Sequence, residues 1–563
     1  MNQPIEFRTL SLAAARSFLR TAAVFDDEAT MSQPTAPADA SLIVPDTFRD
    51  IEEAIGDSAP EDQIQPSSGA SDLESAELST PSHNLDAGEV MEAFAAVGIF
   101  CTVIQPRPEG DGSPPPESVA AATIAQQADI LVLDWQIAKD NGRASLDLLE
   151  HVVQNDVAAG RTRFVAIYTG EDRLDDIEGK LFEHLKPSLA DLQVARPGVV
   201  SSSRMHVVLL KKEGTARAPQ GYEGRTVDFP DLPKRLIEEF AQSCGGLLPN
   251  LALAALGQVR ARSQPILSHF SAQLDGAFVS DRVLRDHPEE NEDFAISLVT
   301  QEIEAALTPL ELGVYVSANA ITAWLDRDHT PLAWQDGRGH PMDLDTSIGG
   351  RLVTEGRGIE PPNNARSFRK ALSFTQMFGR LSEEQAASVD HRFALLSHMA
   401  SLPSDAGGSG PPAMQCGVIV QARTAGTLLL CIQPPCDSLR LQASREFIFI
   451  RLAKVDVGDK FSLVLHDDHE QPMYVRADLT SYGVAKVTFD PAPSGGAVAA
   501  PPREPGQPWT WMSSGPTSAP YDWLGTVRPL QAQRMAQAFA RSVDRIGLDE
   551  SEWARRMRDD LPG

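Results

Sequence analysis

Between residues 20 and 245, short uninterrupted apolar runs alternate with stretches of helical spacing. This pattern leaves few folds open. DILVLD, RFVAIYTG and MHVVLL have almost no polar residue in their interiors, so both faces of each strand need cover. AAVF (22–25) and IFCTVI are shorter runs of the same kind. Between and after them, AGEVMEAFAAVG, ESVAAATIAQQA, SLDLLEHVVQN, RLDDIEGKLFEHL and LPKRLIEEFAQS read as helices with one apolar stripe each. SLAAARSFLRTAAVF reads as a short helix leading into the first strand. Arg16 and Arg20 break its apolar run, which argues against a targeting segment.

Five strands alternating with five helices predict an α/β fold, a flavodoxin-like doubly wound five-stranded parallel sheet covered on both faces. This domain is expected over residues 1–244. It is interrupted at 31–85 by a stretch rich in Pro, Ser and Ala, with eleven acids and one arginine, Arg49. Such a composition cannot bury a core and reads as a disordered insertion. Residues 245–403 read as a mostly helical region, for example LALAALGQVRARSQPILSHFSAQLDGAF and EDFAISLVTQEIEAAL. After SDAGGSGPP, the runs CGVIVQA, TLLLCIQ, EFIFIRLAKV, KFSLVLH, PMYVRADL and VAKVTF predict a small β-rich, barrel-like module over 413–490. A C-terminal helical segment is expected over 509–563.

In a doubly wound sheet, functional groups gather at the carboxyl ends of the strands. Those ends carry Asp26 and Asp27, Asp134, Thr169, and Lys211 or Lys212. Three carboxylates on one rim repel one another and call for a hard divalent cation, Mg²⁺ being the natural choice. A metal there neutralises charge during in-line phosphoryl transfer, and an ammonium adds a second positive contact. A hydroxyl that bonds a phosphoryl oxygen only when one is present gives a two-state contact.

The ordered pieces VFDDEA, DILVLD, AIYTG and VVLLKK resemble the receiver domain of two-component response regulators. The resemblance implies that Asp134 accepts the phosphoryl group and that Asp26 and Asp27 hold Mg²⁺, with the backbone carbonyl of Gln136 as a further ligand. It makes Thr169 the switch hydroxyl and Lys211 or Lys212 the phosphoryl-pairing lysine. Counting three apolar residues before the lysine favours Lys211. The chain departs from the family in its acidic insertion and in lacking proline after both the acceptor loop (WQIAKDNG) and the lysine. It also has Val208 where an aromatic is expected, leaving Tyr168 as a candidate substitute.

The whole-chain pattern also resembles a narrower group, long bacterial proteins in anti-phage two-component-like operons such as the Detocs system. GGLLPNLALAALGQVRARSQPILSHF, LCIQPPCDS and RSVDRIGLDESEW carry that resemblance. It implies a histidine kinase as phosphodonor and a separate receiver-containing effector protein as a possible partner. This chain shows no nucleophile–base pair, P-loop or glycine-rich cradle in 245–563, so it is expected not to be an enzyme itself.

A formal charge of −29 disfavours nucleic-acid and anionic-membrane partners. Five scattered cysteines and no long apolar stretch suit a reducing cytoplasm. Cys431 and Cys436 with His466 and His469 invite a zinc reading, but the x2 histidine spacing is tighter than usual. Buried cysteines and an exposed HDDH turn are expected instead. DRIGLDESEWARRM reads as a packing element around Trp553. The function expected is phosphoacceptance on Asp134, as a phosphate sink or relay. The alternative is a degenerate receiver that docks a partner without being phosphorylated.

Overall fold

A computed structural model describes residues 6–30, 85–105, 119–215, 218–285, 290–308, 310–327, 332–335, 341–359, 374–403, 412–439, 441–456, 459–467, 471–492, 496–504 and 507–543. The expected disordered insertion and the element around Trp553 lie outside them, apart from Leu85. The chain divides into two compact units, residues 1–261 with 310–320, and residues 262–309 with 321–563.

In the first unit, helix α1 (Phe7–Phe18) leads into β1 (Thr21–Phe25). Then follow α2 (Ala87–Ala96), β2 (Phe100–Ile104), α3 (Val119–Gln127), β3 (Ile130–Leu133), α4 (Arg143–Ala159), β4 (Arg163–Thr169) and α5 (Leu174–Leu185). The hairpin β5 (Gln193–Arg196) and β6 (Val199–Ser201) precedes β7 (Met205–Lys212), β8 (Thr226–Val227), α6 (Leu232–Cys244) and α7 (Leu247–Ala261). Asp86 caps α2 by accepting from the Gly88 and Glu89 amides.

The strands lie in the order β2-β1-β3-β4-β7-β6-β5, with β8 paired to β7. The first five are parallel, which is the flavodoxin-like order of the expectation. The sheet is nevertheless eight-stranded and mixed, not five-stranded and parallel, because β5 and β6 add antiparallel at the β7 edge. The Pro197-Gly198 turn closes that hairpin, with Gly198 at φ +75°. QVAR was too polar to register as a strand, and as an edge strand it needs no second apolar face.

Each sheet face has its own core. On one, Phe25, Leu131, Leu133, Val165, Ile167, Val207 and Leu209 pack with Leu148, Leu149, Ile177 and Leu181 of α4 and α5. On the other, Val24, Val132, Ala166, Tyr168, Val208 and Leu210 pack with Leu19, Phe94, Leu236 and Phe240. Arg163, fully buried, donates to Asp156 Oδ2 (2.5 Å) and Oδ1 (2.7 Å) and to the Ala125 carbonyl (2.6 Å), tying α4 to the end of α3. Helix α7, read as part of the helical middle, belongs to this first unit. Its Gly257 lies so close to α1 that a Cβ there would stand 2.3 Å from the Ser17 carbonyl oxygen.

The second unit contains a hairpin of β9 (Leu332–Gln335) and β10 (Pro341–Leu344) and a nine-stranded antiparallel sheet. That sheet comprises β11 (Met399–Ser401), β12 (Val418–Ala422), β13 (Leu428–Cys431), β14 (Arg445–Lys454), β15 (Leu463–His466), β16 (Pro472–Ala477), β17 (Val484–Phe489), β18 (Thr510–Met512) and β19 (Pro520–Val527). The order is β11-β19-β12-β13-β14-β16-β15, with β17 on β14 and β18 on β19. Among the described residues no ladder joins β11 to β15, so the order is not that of a closed barrel. β18 and β19 come from the stretch read as the start of the C-terminal helical segment; a helix follows only at Pro529–Val543. Trp511 and Trp523 of these strands are buried in one of the two cores of this sheet.

Candidate phosphoryl-transfer site

The strand order reverses direction at β1, between β2 and β3, and the carboxyl ends of β1 and β3 open there. Asp26 follows β1 and Asp134 follows β3. The Asp134 amide donates to the Phe25 carbonyl at 2.9 Å, so the two carboxylates stand side by side. One ligand oxygen each from Asp26, Asp27 and Asp134 lies within 4.8 Å of the others, the only such group of His, Cys, Asp or Glu among the described residues. Asp26 and Asp134 are buried, at 1% and 7% exposure.

Burial raises the Asp26 carboxyl above its ordinary value, reinforced by Asp134 and opposed by Lys212. Burial also raises Asp27, with help from Asp134, Glu28 and Asp26. The cluster therefore holds more negative charge than its surroundings solvate. Three hard oxygen donors at this spacing fit Mg²⁺, and Asp26, Asp27 and Asp134 would hold it.

The lysine that meets the cluster is Lys212. Its ammonium donates to Asp26 Oδ2 at 2.7 Å and to Asp134 Oδ2 at 2.5 Å. Burial alone would lower its pKa, but the two carboxylates hold it above the ordinary lysine value. Lys211, favoured by counting, points elsewhere. Its ammonium donates to the Gly170 carbonyl (3.1 Å), the Glu171 carbonyl (2.9 Å) and Asp172 Oδ1 (2.7 Å). The reason is the two-residue alternation of a strand. Lys212 shares a face with Val208 and Leu210, the face on which Val24 and Val132 place Asp26 and Asp134 two residues on. Lys211 continues the opposite face, with Val207 and Leu209.

The same alternation separates the other two residues of the rim. Tyr168 shares the Lys212 face; the ammonium stands 5.7 Å from its ring centroid, and its hydroxyl donates to the Val227 carbonyl at 3.1 Å. Thr169 ends β4 beside Lys211, fully buried, and its hydroxyl accepts from the Glu171 amide at 3.2 Å. Gln136 bonds both Asp134 and the loop after β4. Its amide donates to Asp134 Oδ1 (3.1 Å), its Nε2 to Glu171 Oε1 (2.8 Å), and its Oε1 accepts from the Asn141 amide (3.2 Å). Sequence reasoning gave Gln136 only a backbone role and missed Glu171, because the two meet across strands 35 residues apart.

The acceptor loop turns without proline. Lys139, Asn141 and Gly142 have φ of +54°, +60° and +87°, which the KDNG run accommodates. A Cβ on Gly142 would stand 2.1 Å from the Trp135 ring. The Ser145 hydroxyl, one turn later, donates to the Asp134 carbonyl at 2.6 Å.

Residues 18–217 match the family model of the response receiver domain. This chain carries a receiver domain. The match spans β1 to β7 of the sheet, so it contains every residue of the cluster just described. A response-regulator-like signalling protein is the class it supports. No curated protein and no solved structure matches the chain significantly. Among the described residues, no helix is long and apolar enough to cross a membrane.

Proposed function

We propose that this receiver domain accepts a phosphoryl group on Asp134 from a phosphohistidine of a partner histidine kinase. An Asp134 carboxylate oxygen forms the new P–O bond, the P–N bond to the donor imidazole breaks, and the released imidazole takes up a proton. Bound Mg²⁺ would supply charge neutralisation for the transferring group. Lys212 remains as the protein's own cation beside it, already within hydrogen-bonding distance of Asp134. The observation that carries the reading is the convergence of Asp26, Asp27, Asp134 and Lys212 at one switch point of the sheet.

The resemblance to anti-phage two-component systems supports a setting in bacterial defence. There the chain would act as a phosphate sink or relay beside a separate receiver-containing effector, without being an enzyme. Its acidic charge supports protein partners over nucleic acid or anionic membranes, and its cysteine usage supports a cytoplasmic location.

The deciding experiment is intact mass after incubation with a small acyl phosphate or a phosphorylated kinase, with and without Mg²⁺. One metal-dependent phosphoryl gain in wild type, absent in Asp134→Ala, is expected. The second reading is a docking module without phosphorylation. It draws on the Lys212 bridge, which already partners two of the three carboxylates. No gain from either donor would establish that reading instead.

A further inference from the structure

A buried ammonium needs partners, and all three partners of Lys211 lie in one three-residue loop. Its side chain is fully buried, whereas Asp172, its only charged partner, is 61% exposed. The three bonds hold Gly170, Glu171 and Asp172 at the exit of β4. From that loop, Glu171 reaches across to Gln136, and the Gln136 amide donates to the Asp134 carboxylate. Lys211 is thus linked to the phosphoacceptor through two residues: Glu171, whose carbonyl accepts from Lys211 and whose carboxylate accepts from Gln136 Nε2, and Gln136, whose backbone amide donates to Asp134. An apolar residue would fill a fully buried strand position without the cost of burying a charge, so the loop contacts are what the lysine adds.

We propose that Lys211 is a positioning residue for the phosphoryl-transfer site: it clamps loop 170–172 so that Glu171 keeps Gln136 oriented over the acidic cluster. The two adjacent lysines thus divide the work. Lys212 faces the carboxylates, and Lys211, on the opposite face, holds the loop whose Glu171 bonds Gln136. This rests on the receiver reading above. Outer partners that orient metal-binding groups commonly affect metal affinity on the order of tenfold or more. Lys211→Met should weaken Mg²⁺ binding on the order of tenfold, with Lys211→Arg recovering most of it.

The test is Mg²⁺ titration by calorimetry, with hydrogen exchange over 134–142 and 170–172 read in parallel. Wild type, Lys211→Met, Lys211→Arg, Asp172→Ala and Glu171→Ala are compared. The proposal expects weaker Mg²⁺ binding and faster exchange in both segments for Lys211→Met. Glu171→Ala should weaken Mg²⁺ binding as well and add nothing further when combined with Lys211→Met. A folded Lys211→Met with wild-type affinity and exchange overturns it. Should Lys211→Met not fold, wild-type behaviour in both Asp172→Ala and Glu171→Ala overturns it. A wild type that binds no Mg²⁺ counts against the receiver chemistry, while the exchange data still decide the clamp.

Discussion

Lys212 is bonded to two buried carboxylates. Removing one member of such a group leaves the others uncompensated. Lys212→Met is therefore expected to destabilise the metal-free receiver by about 3–5 kcal/mol, checked by urea denaturation. The pH dependence follows from the raised pKa of Lys212. Its contribution is complete below 10.5, the ordinary lysine value, and is lost as pH rises through the higher folded-state value. Asp27 acts in the same direction, at lower pH. Its folded-state pKa is raised, so the native state holds a proton more tightly than the unfolded chain, and stability falls as pH climbs from 3.8 through the raised value. Asp27→Asn should remove that fall. It should be more stable than wild type at pH 7 without Mg²⁺, and gain less from added Mg²⁺.

The acceptor loop and α4 work as one element. Ser145 bonds the Asp134 carbonyl, and Gly142 leaves room for the Trp135 ring at the start of the helix. Gly142→Ala meets both a positive φ and a direct overlap, so a loss of about 1–3 kcal/mol is expected from crowding alone. Phosphoryl uptake should slow as well, because Asp134 and Trp135 are neighbours; thermal melts and intact mass would show both effects. The other end of α4 depends on Arg163, whose guanidinium joins α4 to α3. Arg163→Met strands the Asp156 carboxylate in the core and should cost about 3–5 kcal/mol while leaving the rim residues in place.

In the whole chain, the acidic cluster of Asp26, Asp27 and Asp134 belongs to one compact unit and the antiparallel sheet to the other. Calorimetry should therefore resolve two unfolding transitions, of which Mg²⁺ shifts only the receiver's, by mass action on the native state. A single transition moved as a whole would instead mean that the two units unfold together.

How much could be read without coordinates follows from which interactions are local. The apolar runs of β1, β3, β4 and β7, with amphipathic helices between them, dictate a covered parallel sheet, because no other arrangement buries such strands on both faces. A carboxylate at a strand end is likewise visible along the chain, so Asp26, Asp27 and Asp134 were legible. The choice between Lys211 and Lys212 was not. Adjacent residues on a strand point to opposite faces, and which face carries the acids depends on register between strands far apart in sequence. The same holds for the Gln136–Glu171 bridge and for Tyr168 beneath Lys212. The β5–β6 hairpin escaped because an edge strand need not be apolar, and β19 because its partner β12 lies about a hundred residues away, with β18 paired to β19 in turn. Local periodicity and turn chemistry are written in neighbouring residues. Register, facing and long-range pairing come into being only when the sheet closes and its two faces bury their separate cores.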